Sequence, residues 1–270
     1  VSTAGTPFTV TVGRQRLRVS VENPGAGRPL LLVNGIGATG DLFEPFRAHV
    51  RDRETIAFDA PGVGGSPTPA YPPTLRTLSG LVAGLVGELG HDRVDVLGLS
   101  WGGALAQELA RRHPRRVRRL VLVATTPGWV SVPGRPSAVA ILASPRRYYS
   151  PAYLRRVAPT LYGGSIAQHP ELLARHAHLR TTRPPSPRGY LYQMAALRRW
   201  TSVPWLHRLD QPTLVVAGDD DPIIPLANAR LLARRIPRSR LHVVPGGGHL
   251  VLFTGAEPLS GVIRGFLDEA

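Results

Sequence analysis

Cysteine and lysine are both absent from the 270 residues. The first absence excludes disulfides, thiolate zinc sites and iron–sulfur ligation. The second makes all 33 Lys-or-Arg positions arginine, against 18 acidic residues, for a formal charge of +15. Such a charge speaks to association and not to fold. The arginines are scattered, and their densest run is Arg111-Arg112-His113-Pro114-Arg115-Arg116-Val117-Arg118-Arg119. It falls where a helix should end and a strand begin, a place that favours cations. No zinc-finger, helix-turn-helix or RNA-binding signature accompanies it, so no nucleic-acid partner is expected. Long apolar runs are missing as well. The longest are strand-sized, which gives no transmembrane segment. The opening Val1-Ser-Thr-Ala-Gly has no basic stretch followed by an apolar one, the pattern of a secretory signal.

What is present is an alternation. Thr9–Val12 and Leu17–Val21 flank Gly13-Arg14 and read as a hairpin. Six further runs follow: 30–33, 55–58, 94–97, 120–123, 213–216 and 241–244. All six are continuous and apolar, as expected of strands buried on both faces of a parallel sheet. Helical spacing of apolar residues predicts helices over 75–89, 101–112, 226–235 and 256–268. Strands alternating with helices define an α/β fold with a mostly parallel central sheet and helices on both faces. One stretch, 126–206, carries no buried-strand pattern and many prolines and aromatics. A structureless loop of that length is improbable. The expected division is a core of 1–125 and 207–270, with 126–206 as a helical cap.

Gly98-Leu99-Ser100-Trp101-Gly102 matches Gly-x-Ser-x-Gly between a predicted strand and a predicted helix. That is the setting of a nucleophile elbow in an α/β-hydrolase fold. The serine of such an elbow lies in a strained turn, and strand and helix press on the positions two before and two after it. Only residues with almost no side chain fit there. A serine hydroxyl needs a base, and on this fold the order along the chain is Ser, then Asp or Glu, then His. Three aspartates, Asp219, Asp220 and Asp221, follow the strand at 213–216, at the end where parallel sheets place their sites. His249 follows the last strand and Gly246-Gly247-Gly248. The other eight histidines fall in a strand, among arginines, on helices or in the cap, where structural roles are expected. An oxyanion hole needs two backbone N–H donors. Trp101 supplies one, and Ile36, in the Asn34-Gly35-Ile36-Gly37 loop, is the expected second. Asn34 can brace that loop.

The chain resembles the intracellular poly(3-hydroxyalkanoate) depolymerases of the medium-chain-length type, from about residue 28 to 268. The anchors include Asn34-Gly-Ile-Gly-Ala38, Ala57-Phe-Asp-Ala-Pro-Gly-Val-Gly-Gly-Ser66 and Asp95-Val-Leu-Gly-Leu-Ser-Trp-Gly-Gly-Ala-Leu-Ala-Gln107. Others are Ala143-Ser-Pro-Arg-Arg-Tyr148, Tyr162-Gly-Gly164 and Gln211-Pro-Thr-Leu-Val-Val-Ala-Gly-Asp-Asp-Asp-Pro-Ile-Ile-Pro-Leu226. The tail departs mildly, with more glycines before His249 than expected. Related sequences carry the acid four residues before the proline, here Pro225, which selects Asp221 over Asp219 and Asp220. The resemblance implies ester hydrolysis by Ser100, Asp221 and His249 without metal or organic cofactor. It implies a hydrophobic polyester substrate, a cytoplasmic setting and association with the polymer granule surface. Trp129, Tyr148 and Tyr162, with Asn34, are the candidate substrate contacts, and Tyr149 is a further aromatic that could line an apolar slot. Competing readings are a general carboxylesterase, a thioesterase or another small-molecule hydrolase of this fold, or a non-catalytic binding module.

Overall fold

The computed structural model describes residues 5–269; the first four residues, part of the opening stretch read above, lie outside them. Eight strands form one sheet in the order β1-β2-β4-β3-β5-β6-β7-β8. They are β1 (Phe8–Val12), β2 (Gln15–Glu22), β3 (Leu30–Val33), β4 (Thr55–Phe58), β5 (Val94–Leu99), β6 (Val117–Val123), β7 (Thr213–Gly218) and β8 (Ser239–Val244). β1 and β2 pair antiparallel through the tight Gly13-Arg14 turn, with Val12 opposite Gln15. Gly13 takes φ +59°, which such a turn requires. β2 also pairs antiparallel to β4, and all remaining pairs are parallel.

The side chains of β3 alternate between two cores, as the two-residue period of a strand demands. Leu31 and Val33 join one apolar cluster with Val96, Leu105 and Leu109. Leu30 and Leu32 join the other with Phe43, Leu97 and Ile263. Helices α2 (Leu75–Glu88), α3 (Trp101–Arg112) and α8 (Leu226–Arg235) contribute to the first cluster. The short α1 (Glu44–Arg47) and α9 (Val251–Thr254), with α10 (Ala256–Asp268), contribute to the second. The continuous apolar runs are thus explained by two covered faces, with one exception. β8 is only half-buried along most of its length, contrary to expectation, because it is the edge strand.

Residues 126–206 contribute no strand to the sheet; they hold α4 (Pro136–Leu142), α5 (Pro151–Tyr162), α6 (Pro170–Thr182) and α7 (Pro187–Arg198). This segment has its own apolar cluster, in which Ala138, Leu154, Leu161 and Ile166 meet Ile223 and Leu250 of the sheet's loops and Phe253 of α9. The arginine run has structural partners. Arg118 grips the buried Asp95 carboxylate with two bonds of 2.8 and 2.6 Å. Arg116 donates to the His91 carbonyl at 2.8 Å.

Candidate active site

Strand order reverses on either side of β3, so the loops after β3 and β5 flank a crevice at one end of the sheet. Open α/β sheets bind ligands at such a switch point. Ser100 follows β5 there, with φ +54° and ψ −118°. A side chain in that region costs about 1–3 kcal/mol and persists only where its surroundings hold it. Here the Ser100 N–H donates to the Val123 carbonyl at 2.9 Å. The Ser100 carbonyl accepts from the Gly103 N–H at 2.9 Å and from the Thr125 hydroxyl at 2.6 Å. A Cβ on Gly98 would lie 2.5 Å from the Gly102 carbonyl oxygen, and one on Gly102 would lie 2.1 Å from that of Val33. The glycines of the motif are therefore a packing requirement.

His249 Nε2 is 3.0 Å from Ser100 Oγ, and its Nδ1 is 2.7 Å from Asp221 Oδ2. The other Asp221 oxygen accepts from the backbone N–H groups of Ile223 and Ile224 at 2.8 and 2.9 Å. The structure separates the three neighbouring aspartates cleanly. Asp219 accepts from the Gly246 N–H at 2.7 Å. Asp220 accepts from the Gly164 N–H at 2.9 Å and pairs with Arg135. The extra glycines before His249 also have a reason. A Cβ on Gly248 would come 2.2 Å from the Tyr162 carbonyl oxygen. That same carbonyl accepts the His249 N–H at 2.7 Å. The loop must press against the end of α5 to set the imidazole.

The Ile36 and Trp101 N–H groups flank the serine from the two loops, and among the described residues neither has a protein acceptor. The Ile36 loop is heavily braced. Asn34 is buried; its Oδ1 accepts from the Gly35 N–H at 2.8 Å, and its amide donates to the Thr39 carbonyl. Gln193 of α7 accepts from the Gly37 N–H at 2.6 Å. The Tyr148 hydroxyl donates to the Ile36 carbonyl. Asn34 is thus a brace and not part of the cavity wall.

A cavity of about 530 Å³ opens on Ser100 and is lined mostly by apolar groups, including Trp129, Leu142, Leu191, Met194 and Ile223. Its volume is in the range of small-molecule sites. Of the four aromatics considered for an apolar slot, only Trp129 lines it, and that ring is 65% exposed. Tyr148 is fully buried under the Ile36 loop. Tyr149 turns away to donate to the Pro185 carbonyl. Tyr162 instead borders a separate, narrow pocket that also touches Ser100 and His249. A larger cavity, about 780 Å³ between α2, α3 and α7, contains none of the three grouped residues.

Sequence reasoning missed the polar cluster behind the serine. Arg147 and Arg180 are buried, and neither has a carboxylate partner among the described residues. Arg147 donates to the Ser144 carbonyl and the Tyr190 hydroxyl, both at 2.9 Å. Arg180 donates to His176 Nε2 at 3.0 Å and to the Tyr148 hydroxyl. Burial lowers the Arg147 pKa, but the Tyr148, Tyr190 and Tyr162 phenols outweigh it and raise the net value. Burial, then Arg180 and Arg147, push His176 well below its ordinary value, so it stays neutral and can accept the Arg180 proton. Arg147 falls within an anchor of the family resemblance, but nothing in the sequence marks it or Arg180 as buried.

The chain belongs to the alpha/beta hydrolase family: the family model described as "Alpha/beta hydrolase family" matches residues 30–262. It is 48% identical over 264 residues to a poly(3-hydroxyalkanoate) depolymerase of Ectopseudomonas oleovorans, covering 97% of this chain and 92% of that protein. It is 30% identical to a 2-hydroxymuconate semialdehyde hydrolase of Pseudomonas sp. (strain CF600), covering 94% and 92%. A crystal structure of a hydrolase from Pseudomonas aeruginosa PA01 shares the fold, with a TM-score of 0.84 at 24% identity over 99% of this chain and 100% of that one.

Proposed function

We propose that the chain is a serine ester hydrolase that depolymerises medium-chain poly(3-hydroxyalkanoate). The observation that carries this reading is the apolar cavity of about 530 Å³ opening directly on Ser100. Long alkyl side chains of a polyester suit such a wall, and a short-chain polymer would leave most of it unfilled. The 48% identical relative with that name supports the same substrate. Ser100 attacks the ester carbonyl while His249 takes its proton, and Asp221 stabilises the imidazolium. The Ile36 and Trp101 N–H groups hold the tetrahedral oxyanion. Collapse expels the alcohol, which receives the proton from His249. Water activated by His249 then releases the acid from the acyl-enzyme. No step calls for a metal or an organic cofactor.

The cavity mouth supports contact with an insoluble polymer. Trp129 and Leu191, which line it, are both exposed, as is Val130 next to Trp129. Grouped exposed apolar side chains mark interaction surfaces, and granule association in the cytoplasm follows from this reading. No helix among the described residues is long and apolar enough to cross a membrane. The test is ester release by the purified protein from suspensions of medium-chain and short-chain polymer, beside p-nitrophenyl esters graded by acyl length. Clearing of the medium-chain polymer, lost in Ser100→Ala, is the expected result. Hydrolysis of soluble esters alone would leave a general carboxylesterase.

A further inference from the structure

The cavity of about 780 Å³ between α2, α3 and α7 collects positive charge. Arg76, Arg111, Arg112, Arg198 and Arg199 line it, against one carboxylate, Glu108. Glu108 is already engaged: one of its oxygens accepts from Arg112 Nε and the other from the Trp200 indole N–H at 2.9 Å. Arg111 lies over the Trp205 ring, 4.6 Å from its centre. Arg76, Arg198 and Arg199 are exposed, and among the described residues their guanidinium groups have neither a hydrogen bond nor an ion pair. A cleft lined by charge of one sign focuses the field and raises the local concentration of the opposite ion. Much of the remaining wall is apolar, including Pro72, Pro73, Trp200 and Trp205. Cations beside an apolar wall select an anion with an apolar body. Position adds a second constraint. Ala195 and Arg198 line both this cavity and the one that opens on Ser100. Arg198 is the only charged side chain among the described residues lining the latter.

We infer that the basic cavity is a binding site for a medium-chain carboxylate, the kind of anion that ester hydrolysis releases. The inference rests on the reading of Ser100 as the nucleophile of an ester hydrolase with an apolar acyl cavity. Deacylation turns a neutral ester into a carboxylate within that apolar wall, where an unpaired charge is costly. Arg198 is the one cation on the wall, and it leads to the other four arginines. A guanidinium takes a carboxylate through two parallel hydrogen bonds, and the alkyl chain gains by covering the tryptophan and proline surface. The wall shared with the acyl cavity favours this small product over a protein segment, which would meet the arginines from outside alone.

The four tryptophans divide between the two cavities. Trp101 and Trp129 line the one on Ser100, and Trp200 and Trp205 line the basic one. Indole N–H signals in a nitrogen–proton NMR spectrum of the full chain, assigned with single Trp→Phe variants, therefore report the two sites separately. Sodium octanoate is expected to shift the Trp200 and Trp205 signals, and added salt to weaken that effect. Uncharged octanol is expected to move only the Trp101 and Trp129 signals. Arg76→Ser combined with Arg199→Ser removes two exposed, unpaired guanidinium groups, so the fold should hold. The double variant is expected to weaken the octanoate affinity read at Trp200 and Trp205 by about tenfold or more. Absence of octanoate shifts at those two residues would overturn the inference. So would an affinity there that the double variant leaves unchanged, or equal shifts with octanol. Tighter binding of 3-hydroxyoctanoate than of octanoate would name the polyester's own product as the ligand. Equal binding would name medium-chain carboxylates in general, and either result upholds the site. Polymer clearing is scored separately. Clearing without octanoate shifts leaves the depolymerase reading standing and refutes the site, and shifts without clearing do the reverse.

Discussion

The loops at the end of the sheet and the helical segment over them handle polar groups in opposite ways. Around Ser100, Asp221 and His249 every oxygen and ring nitrogen of the side chains has a defined partner at 2.7–3.0 Å. In the helical segment, two guanidinium groups are buried without a carboxylate, and a phenol and a ring nitrogen are left unsatisfied. A fully satisfied network holds one geometry, whereas a partly satisfied one is costly until something completes it. The difference separates the two tasks of the site. On the proposed reading the sheet loops are preorganised for bond cleavage, and the helices shape the space above the serine.

The sharpest way to break that comparison lies within the three aspartates. Asp221→Asn keeps the shape but removes the charge facing His249 Nδ1, and the amide presents either a donor or a weaker acceptor there. In serine triads this change costs about 10⁴-fold in kcat. Asp220→Asn alters a residue tied to Gly164 and the exposed Arg135, and kcat is expected to stay within about threefold, as for a surface ion pair of small worth. Steady-state kinetics on a soluble ester distinguishes them. Similar losses in both variants would mean that the carboxylate cluster acts as a unit and not through Asp221.

A second, smaller effect tests whether the helices contribute to bond cleavage at all. The Tyr148 hydroxyl donates to the Ile36 carbonyl and accepts from Arg180. It is thus the link between a buried cation and the loop that presents the Ile36 N–H. Tyr148→Phe should lower kcat about tenfold with KM nearly unchanged, because a misplaced donor weakens binding of the oxyanion more than of the ester. A rise in KM alone would assign Tyr148 to substrate binding. Thermal unfolding of the variant separates this from general destabilisation.

How legible each region was in the sequence follows the same division. Four helices and the parallel strands are readable because the sheet core repeats one rule, with apolar residues at strand or helix period and glycine where backbones touch. The elbow was readable for a steric reason, since Gly98 and Gly102 leave no space for a Cβ. The edge strand β8 misled, because an apolar run looks the same whether one face or two are covered. The helical segment was legible as helices but not as a site. Tyr148, Tyr149 and Tyr162 read as three equivalent aromatics, yet their hydroxyls reach three different places, and those of Tyr148 and Tyr149 are set by partners more than 30 residues away in sequence. The burial of Arg147 and Arg180 carried no signal, because burial of an arginine depends on tertiary neighbours and not on spacing.

The buried arginines have a measurable consequence for stability, and it is the smallest effect of the three. His176 Nε2 accepts from Arg180 Nε at 3.0 Å, so the folded protein needs a neutral imidazole. Burial and the two guanidinium charges hold the His176 pKa well below 6.5. An unfolded chain has no such constraint and takes up a proton near its ordinary value of about 6.5. Between the folded and unfolded values the unfolded state therefore binds more protons, and stability rises with pH. The contribution is complete above about pH 7.5 and is lost as the pH falls through 6.5, at about 1.4 kcal/mol per further unit. His176→Gln keeps an acceptor for Arg180 but cannot titrate. Denaturant unfolding at pH 7.5 and 5.5 should show the unaltered protein losing about 1 kcal/mol more than this variant over the interval. Equal losses in the two would mean that His176 is protonated in the folded state. The cationic cluster behind the serine would then include three charges and not two.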